Sequence, residues 1–344
     1  MAAHSSGRLP LLIIVWYSFS LLSIVSAAVI LEACKCAATL CALQLGAAAL
    51  ACRIISSSNY GHRPEPLESV AYSLTRAVAI GYSCGFALTN AAIEFATPAF
   101  VETVKSSEPL STVALAACFL GERESTLTNV SLVPLVMGVA MASGLGEGHV
   151  SASFSAAGLV LSLASNVSFS ARAIATKALL HSHPRSAVAR SDLVLFYHVS
   201  RIGMLLLAPI AIVLDARTLA SALSGMGPSA IDGGGQPLSP GLLWMALLAN
   251  CASHAIYNAI SFAVLSRVSV ATHAVLNIVR RVVMIAGTAV LFHTRIDAYN
   301  WLGIFICVFG CLAFARGKQT EDSRVAKVRK RATYDAKHAR LHAV

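Results

Sequence analysis

Long apolar stretches alternate with short polar breaks along most of this chain. A crossing needs about 20 mostly apolar residues, and on that measure about ten can be marked off: 11–31, 34–53, 68–90, 96–120, 128–145, 155–178, 193–214, 240–264, 270–293 and 299–316. Inside a bilayer every backbone polar group must be paired within the protein, which leaves helices or closed barrels, and segments of this length point to helices. The pattern predicts an all-α polytopic membrane protein. The fourth and fifth stretches admit other divisions. An even number of crossings puts both chain ends on one side.

The longest polar interruption, 215–239 with "SGMGPSAIDGGGQPLSP", reads as a flexible linker. The end of the fifth stretch, "LVPLVMGVAMASG" (132–144), resembles in pattern the end of the tenth, "WLGIFICVFGCLAFARG" (301–317), with Gly138 and Gly310 in matching places. This predicts two five-helix halves, about 11–145 and 155–316. In many transporters such halves are inverted repeats that hold substrate between them at mid-membrane. The fourth and ninth helices are then equivalent. The domain reading is one transmembrane transporter domain over 1–320 and a basic cytosolic tail over 321–344.

Composition agrees: 56% of the 344 residues are hydrophobic, 12% are charged and the mean hydropathy is +0.71. A soluble domain carries about 25% charged residues, so that class is excluded. The net charge of +10 would ordinarily raise nucleic acid as a partner. Here, however, nine Lys and Arg lie between Arg316 and Arg340, beyond the last apolar stretch. Such a tail is a topological signal, and no nucleic acid is expected. Loops on its side hold Arg53, Arg63, Arg123, Lys177, Arg185, Arg190 and Arg267, against chiefly Lys35, Arg217 and Arg295 opposite. The positive-inside rule then puts both termini in the cytosol.

Among nine cysteines only Cys34 and Cys36 form a close pair. They make no disulfide framework, and Cys-x-Cys is a weak metal signal, so neither metal nor cofactor is expected. "LLIIVWYSFSLLSIVSAA" has the look of a signal-peptide core with small residues at its end, but the preferred reading is a retained first helix.

The charges inside the apolar stretches bear on function. "NIVRRVVMI" (277–285) puts Arg280 and Arg281 near the middle of the ninth. Each costs roughly 2.5–3.5 kcal/mol to insert, against about 0.3–0.6 kcal/mol gained per large apolar residue. Lys105 in the fourth stretch and Arg172 in the sixth are flanked by apolar or small residues, so four cations come from three helices. A structural reading pairs them with Glu94, Glu102 and Glu108, with Glu102 three residues before Lys105 on one helix face. Even then one cation is left over. The functional reading has the cations line a water-filled cavity that receives an anion, with guanidinium forks and an ammonium suited to phosphate. His254 and His273, each alone in an apolar stretch, read as structural rather than as proton relays. The apolar stretches have no paired-carboxylate, His-x-x-x-His or serine–histidine pattern, so no catalytic residues are assigned and an intramembrane enzyme has little to stand on.

Four segments carry a further signal: "TVKSSEP" (103–109), "FLGE" (119–122), "SNVSFSARAIATK" (165–177) and "YNAISFAVLSRVSVATHAVLNIVRRVV" (257–283). In these the chain resembles the plastidic phosphate translocators, the triose-phosphate transporter branch of the drug/metabolite transporter superfamily. The resemblance implies that Lys105, Arg172, Arg280 and Arg281 bind phosphate. It also implies that Thr89, Phe169 and Tyr257 contact the organic part of the substrate. The chain departs from the pattern at Phe86 and Glu102, where such carriers have histidines, and at Arg280, where they have lysine. Those departures bear on which sugar or acid is taken.

The resemblance therefore implies an antiporter. It would exchange phosphorylated small metabolites (triose phosphate, phosphoenolpyruvate or sugar phosphate) and inorganic phosphate across an organelle membrane by alternating access. A nucleotide-sugar transporter of the same fold is the alternative. A scaffold whose pocket has decayed is made conceivable by Phe86 and opposed by the retained cations. Expected partners are the phosphorylated substrate, inorganic phosphate and the lipid bilayer, with a monomer allowed. Only about ten residues precede the first stretch, fewer than a transit peptide needs. The expected membrane is thus endomembrane (Golgi or endoplasmic reticulum), a plastid envelope or a complex-plastid membrane.

Overall fold

The computed structural model describes residues 8–60, 65–121, 125–142, 155–223, 239–265, 270–293 and 297–341. All regular structure among them is helical. In chain order the helices are α1 Arg8–Cys34, α2 Ala37–Tyr60, α3 Ser69–Phe95, α4 Pro98–Lys105, α5 Glu108–Leu120, α6 Thr126–Val130 and α7 Leu132–Ala142. There follow α8 Ala156–Ser182, α9 Ala187–Arg190, α10 Asp192–Leu214, α11 Ala216–Leu223, α12 Pro240–Leu265, α13 Val270–Leu291 and α14 Ala298–Leu341.

Among the described residues six helices have the length and apolarity to cross a membrane: α1, α2, α3, α8, α10 and the Ala298–Thr320 part of α14. Helices α12 and α13 have comparable lengths, 26 and 22 residues. Asn250, His254 and Asn258 interrupt the apolar run of α12, and Arg280 and Arg281 that of α13. Outward-facing side chains are large and apolar, as at Phe119, Val213 and Phe305 (76%, 81% and 64% exposed). A surface of this kind suits lipid rather than water.

Four stretches differ from the sequence reading, one being 128–145, which divides at Ser131 into α6 and α7 and whose residues 143–145 lie outside the described residues. The stretch 96–120 is two helices, α4 and α5, broken at Ser106 and Ser107. Pro109 cannot donate to the carbonyl of residue 105, and its ring crowds that carbonyl, so the helix cannot run through. The linker 215–239 begins as α11, while its 224–238 portion lies outside the described residues. The tail continues α14 as helix as far as Leu341.

Small residues let the main helix pairs approach closely, as membrane helices require. Helix α3 packs on α8, α1 on α12, α2 on α10 and α7 on α14. At the α7–α14 crossing a Cβ on Gly138 would run into the Cys307 backbone nitrogen, and one on Gly310 would lie 2.5 Å from that of Leu135. On α3, a Cβ at Gly81 would lie 2.9 Å from the Arg172 backbone nitrogen. Polar side chains tie the interior across helices: Gln44 donates to Asn250 (2.8 Å), Asn90 to Gln44 (3.2 Å) and Asn250 to the Ser23 carbonyl (2.7 Å). The first turn of α2 is held from outside by two carboxylates. Glu94 accepts from the Ala37 N–H (2.9 Å) and Asp215 from that of Thr39 (2.7 Å), where the helix dipole favours negative charge.

Candidate functional site

The break between α4 and α5 sets the position of Lys105. Asn166 of α8 reaches into it and donates to the Val104 carbonyl (3.1 Å) and to Ser107 Oγ (3.2 Å). Ser107 Oγ donates back to the Val104 carbonyl (2.7 Å), so backbone groups freed by the break find partners. Lys105, last residue of α4 and buried, then points its Nζ to Thr89 Oγ1 on α3 (3.0 Å). The same Nζ lies 5.1 Å from the centre of the Phe169 ring.

Two of the cavity arginines lie against aromatic faces. The Arg172 guanidinium, from α8, sits 5.5 Å from the Tyr82 ring centre and 5.6 Å from that of Phe169. That of Arg280, from α13, sits 5.9 Å from both Trp16 and Tyr257. Such contacts are worth about 0.5–2 kcal/mol each, more where water is excluded. Among the described residues neither arginine has a carboxylate partner. The Nε of each is buried without a hydrogen-bond partner.

Arg281 is different. Adjacent helical residues point about 100° apart, and Arg281 faces the α4–α5 break rather than the rings. Its Nη2 lies 2.7 Å from Glu108 Oε2 and its Nη1 lies 3.5 Å from Glu102 Oε2. Glu102 has its closest ion-pair contact with Arg281 on the facing helix, and its charge also acts on Lys105 one turn away, as the spacing expects, and on Arg280. Glu94, the third expected partner, is committed to the α2 N-terminus.

Lys105, Arg172, Arg280, Arg281, Thr89, Phe169 and Tyr257 all line one cavity of about 960 Å³. Its lining continues along α14 to Lys318 and Ser323, past the apolar part of that helix. Phe86 stands in the wall, its ring 4.8 Å from Tyr82, 5.1 Å from Phe169 and 4.9 Å from His254. His254 is buried between Phe86 and Tyr257, and its Nε2 is without a partner. A satisfied structural histidine was expected, but this one presents a ring edge to the cavity wall. The His273 side chain lies outside the described residues. Among the described residues no His, Cys, Asp and Glu cluster is placed to hold a metal.

Trp16 and Tyr82 were not singled out by the sequence reading, although a signal existed. Tyr82, Phe86 and Thr89 follow the i, i+4, i+7 spacing of one helix face, and Trp16, Ser20 and Ser23 do the same on α1. All six line the cavity. The arrangement can desolvate an anion and receive it on guanidinium and ammonium donors already oriented by packing.

The model of the "Triose-phosphate Transporter family" matches residues 7–315. Phosphoenolpyruvate/phosphate translocator 1, chloroplastic, of Oryza sativa subsp. japonica is 31% identical over 242 residues, 70% of this chain and 55% of that one. Phosphoenolpyruvate/phosphate translocator 3, chloroplastic, of the same species is 33% identical over 71% of this chain and 58% of its own. The chain thus spans somewhat over half the length of these two relatives. Triose phosphate/phosphate translocator, non-green plastid, chloroplastic, of Brassica oleracea var. botrytis is 27% identical over 91% of this chain and 73% of its own. A protein crystal structure at 15% identity superposes with a TM-score of 0.50, covering 89% of this chain and 96% of that one, a likeness of fold alone.

Proposed function

Because the chain belongs to the Triose-phosphate Transporter family, we propose that this multi-pass membrane protein is an antiporter. It exchanges inorganic phosphate for phosphorylated small metabolites, such as triose phosphate, phosphoenolpyruvate or sugar phosphate, across an organelle membrane. Lys105, Arg172, Arg280 and Arg281 form the phosphate pole, and Thr89, Phe169 and Tyr257 contact the organic part. One observation carries the reading: four cations share one cavity in which Arg172 and Arg280, among the described residues, have aromatic rings over them but no carboxylate within ion-pairing distance, so that four positive groups face two carboxylates, Glu102 and Glu108. Buried charge without an internal counter-ion calls for an external one.

Transport proceeds by alternating access between two inverted five-helix halves. Helix pairings support the repeat. If α1 corresponds to α8, α2 to α10, α3 to α12, the α4–α5 pair to α13 and α7 to α14, then α3 on α8 answers to α12 on α1. Likewise α2 on α12 answers to α10 on α3, while α2 with α10, α4 with α13 and α7 with α14 are self-matched. Both termini are cytosolic on the charge argument. The lining of the cavity reaches Ser323, toward the C-terminal part of α14, which supports an opening on that side.

The test reconstitutes the protein in liposomes preloaded with phosphate and follows uptake of labelled phosphate, triose phosphate, phosphoenolpyruvate and hexose phosphate. Exchange of at least one is expected, and exchange of none ends the reading. A nucleotide sugar also fits a cavity of about 960 Å³. Displacement of labelled phosphate by nucleotide sugars alone would favour the carrier of that class instead.

A further inference from the structure

Resting on the roles given above to Lys105 and Thr89, we propose that Ser165, a residue behind the cavity wall, is a positioning residue for transport that acts on the ligand through the Thr89 hydroxyl. Ser165 precedes Asn166 on α8, and adjacent helical residues point about 100° apart. Asn166 turns to the α4–α5 break that carries Lys105, whereas Ser165 turns to α3. There its Oγ donates to the Gly85 carbonyl (2.8 Å) and lies 2.8 Å from Thr89 Oγ1. Thr89 Oγ1 is itself 2.8 Å from the Gly85 carbonyl and accepts from Lys105 Nζ at 3.0 Å. Thr89 and Lys105 line the cavity, while Ser165 is fully buried and does not.

A proton count shows what the second hydroxyl does. An ammonium has donors only, so Thr89 meets Lys105 as an acceptor, and its single proton has two places to go, the Gly85 carbonyl or Ser165 Oγ. The pair therefore has two settings. In the first, Thr89 donates to the Gly85 carbonyl while Ser165 donates to Thr89. In the second, Ser165 donates to the Gly85 carbonyl and accepts from Thr89. When a phosphate draws Lys105 away, Thr89 can turn its proton to an acceptor on the ligand, because Ser165 stays on the buried carbonyl in its place. Without Ser165 the Thr89 hydroxyl is held by the carbonyl four residues earlier on its own helix, the usual bond of a threonine inside a helix. Each turn towards a ligand then gives that bond up. Ser165 thus frees Thr89 for the organic part of the substrate.

The experiment measures KM and maximal rate in phosphate-loaded liposomes for inorganic phosphate and for the organic phosphate that the wild type exchanges best among triose phosphate, phosphoenolpyruvate and hexose phosphate. Ser165→Ala should raise KM for the organic phosphate by about three- to tenfold, the worth of one hydrogen bond, and raise that for inorganic phosphate less, since it has no organic part for Thr89 to reach. The effect should fall on KM rather than on maximal rate, with the melting temperature in detergent kept. Ser165→Cys keeps the packing and weakens the hydrogen bond, and should move the two constants the same way. In a Thr89→Val background Ser165→Ala should change KM by less than about twofold, because residues acting as one unit are not additive. Unchanged constants in both Ser165 variants would overturn the inference. So would equal rises for the two ligands with a lowered melting temperature, which is what a mere tie between α3 and α8 gives, or full additivity with Thr89→Val. Each of these leaves the phosphate site standing, whereas a wild type that exchanges nothing removes the site and the inference together.

Discussion

A guanidinium inside a membrane protein can be covered by a carboxylate or by an aromatic face, and the two covers have different consequences for binding. Arg281 has the first, with two glutamates on one fork. Arg172 and Arg280 have the second, which orients the cation and leaves its charge available. Arg172→Lys keeps the charge but gives up the planar contact with Tyr82 and Phe169. It should raise the apparent KM for phosphate by roughly tenfold in liposome exchange, whereas Arg172→Gln should abolish exchange. The positions of the four cations were legible in the sequence because charge within an apolar run is expensive and stands out. Their covers were not. Whether Glu102 meets Lys105 or Arg281, and whether a ring from α1 lies over Arg280, depends on how separate helices are rotated against one another, which spacing along one helix does not report.

The helices themselves read more easily than their interruptions. An apolar run of membrane length declares its helix, but 96–120 stays apolar or small on both sides of "SSEP", so the sequence offered one span where there are two helices. The break is sustained from outside by Asn166. Asn166→Ala removes both bonds without adding volume and should cost about 1–3 kcal/mol. The measurements are a lowered melting temperature in detergent together with weaker phosphate exchange, since Lys105 hangs from the break. The α7–α14 crossing gives a second element-scale prediction. Gly138→Ala puts a Cβ against the Cys307 backbone and should destabilise by about 1–3 kcal/mol or more. Gly241→Ala, where nothing lies within 4 Å, should leave the melting temperature unchanged or slightly higher. The pattern shared by 132–144 and 301–317 was legible as a repeat, but that its glycines stand where the two backbones touch comes only from the packing of α7 on α14. Helix α11 and the helical continuation of α14 escaped notice because neither carries a long apolar run.

For the whole molecule, the proposed exchange ties movement to binding through the charge in the cavity. An empty site with two excess positive charges must close without a counter-ion, at several kcal/mol per uncompensated ion, so reorientation should be fast only when loaded. Efflux of labelled phosphate from liposomes into phosphate-free buffer is expected to be at least about tenfold slower than efflux into buffer containing phosphate. Equal rates would mean that the halves move freely when empty. The central claim is simpler than any transport cycle: the cations of this cavity bind phosphate. It is tested most directly by titrating inorganic phosphate calorimetrically into the purified protein in detergent, beside an Arg172→Gln/Arg280→Gln variant of matched folding. The account predicts saturable binding at one site in the wild type and its loss in the double variant. Wild-type protein that binds no phosphate, or a double variant that binds it equally well, would contradict it.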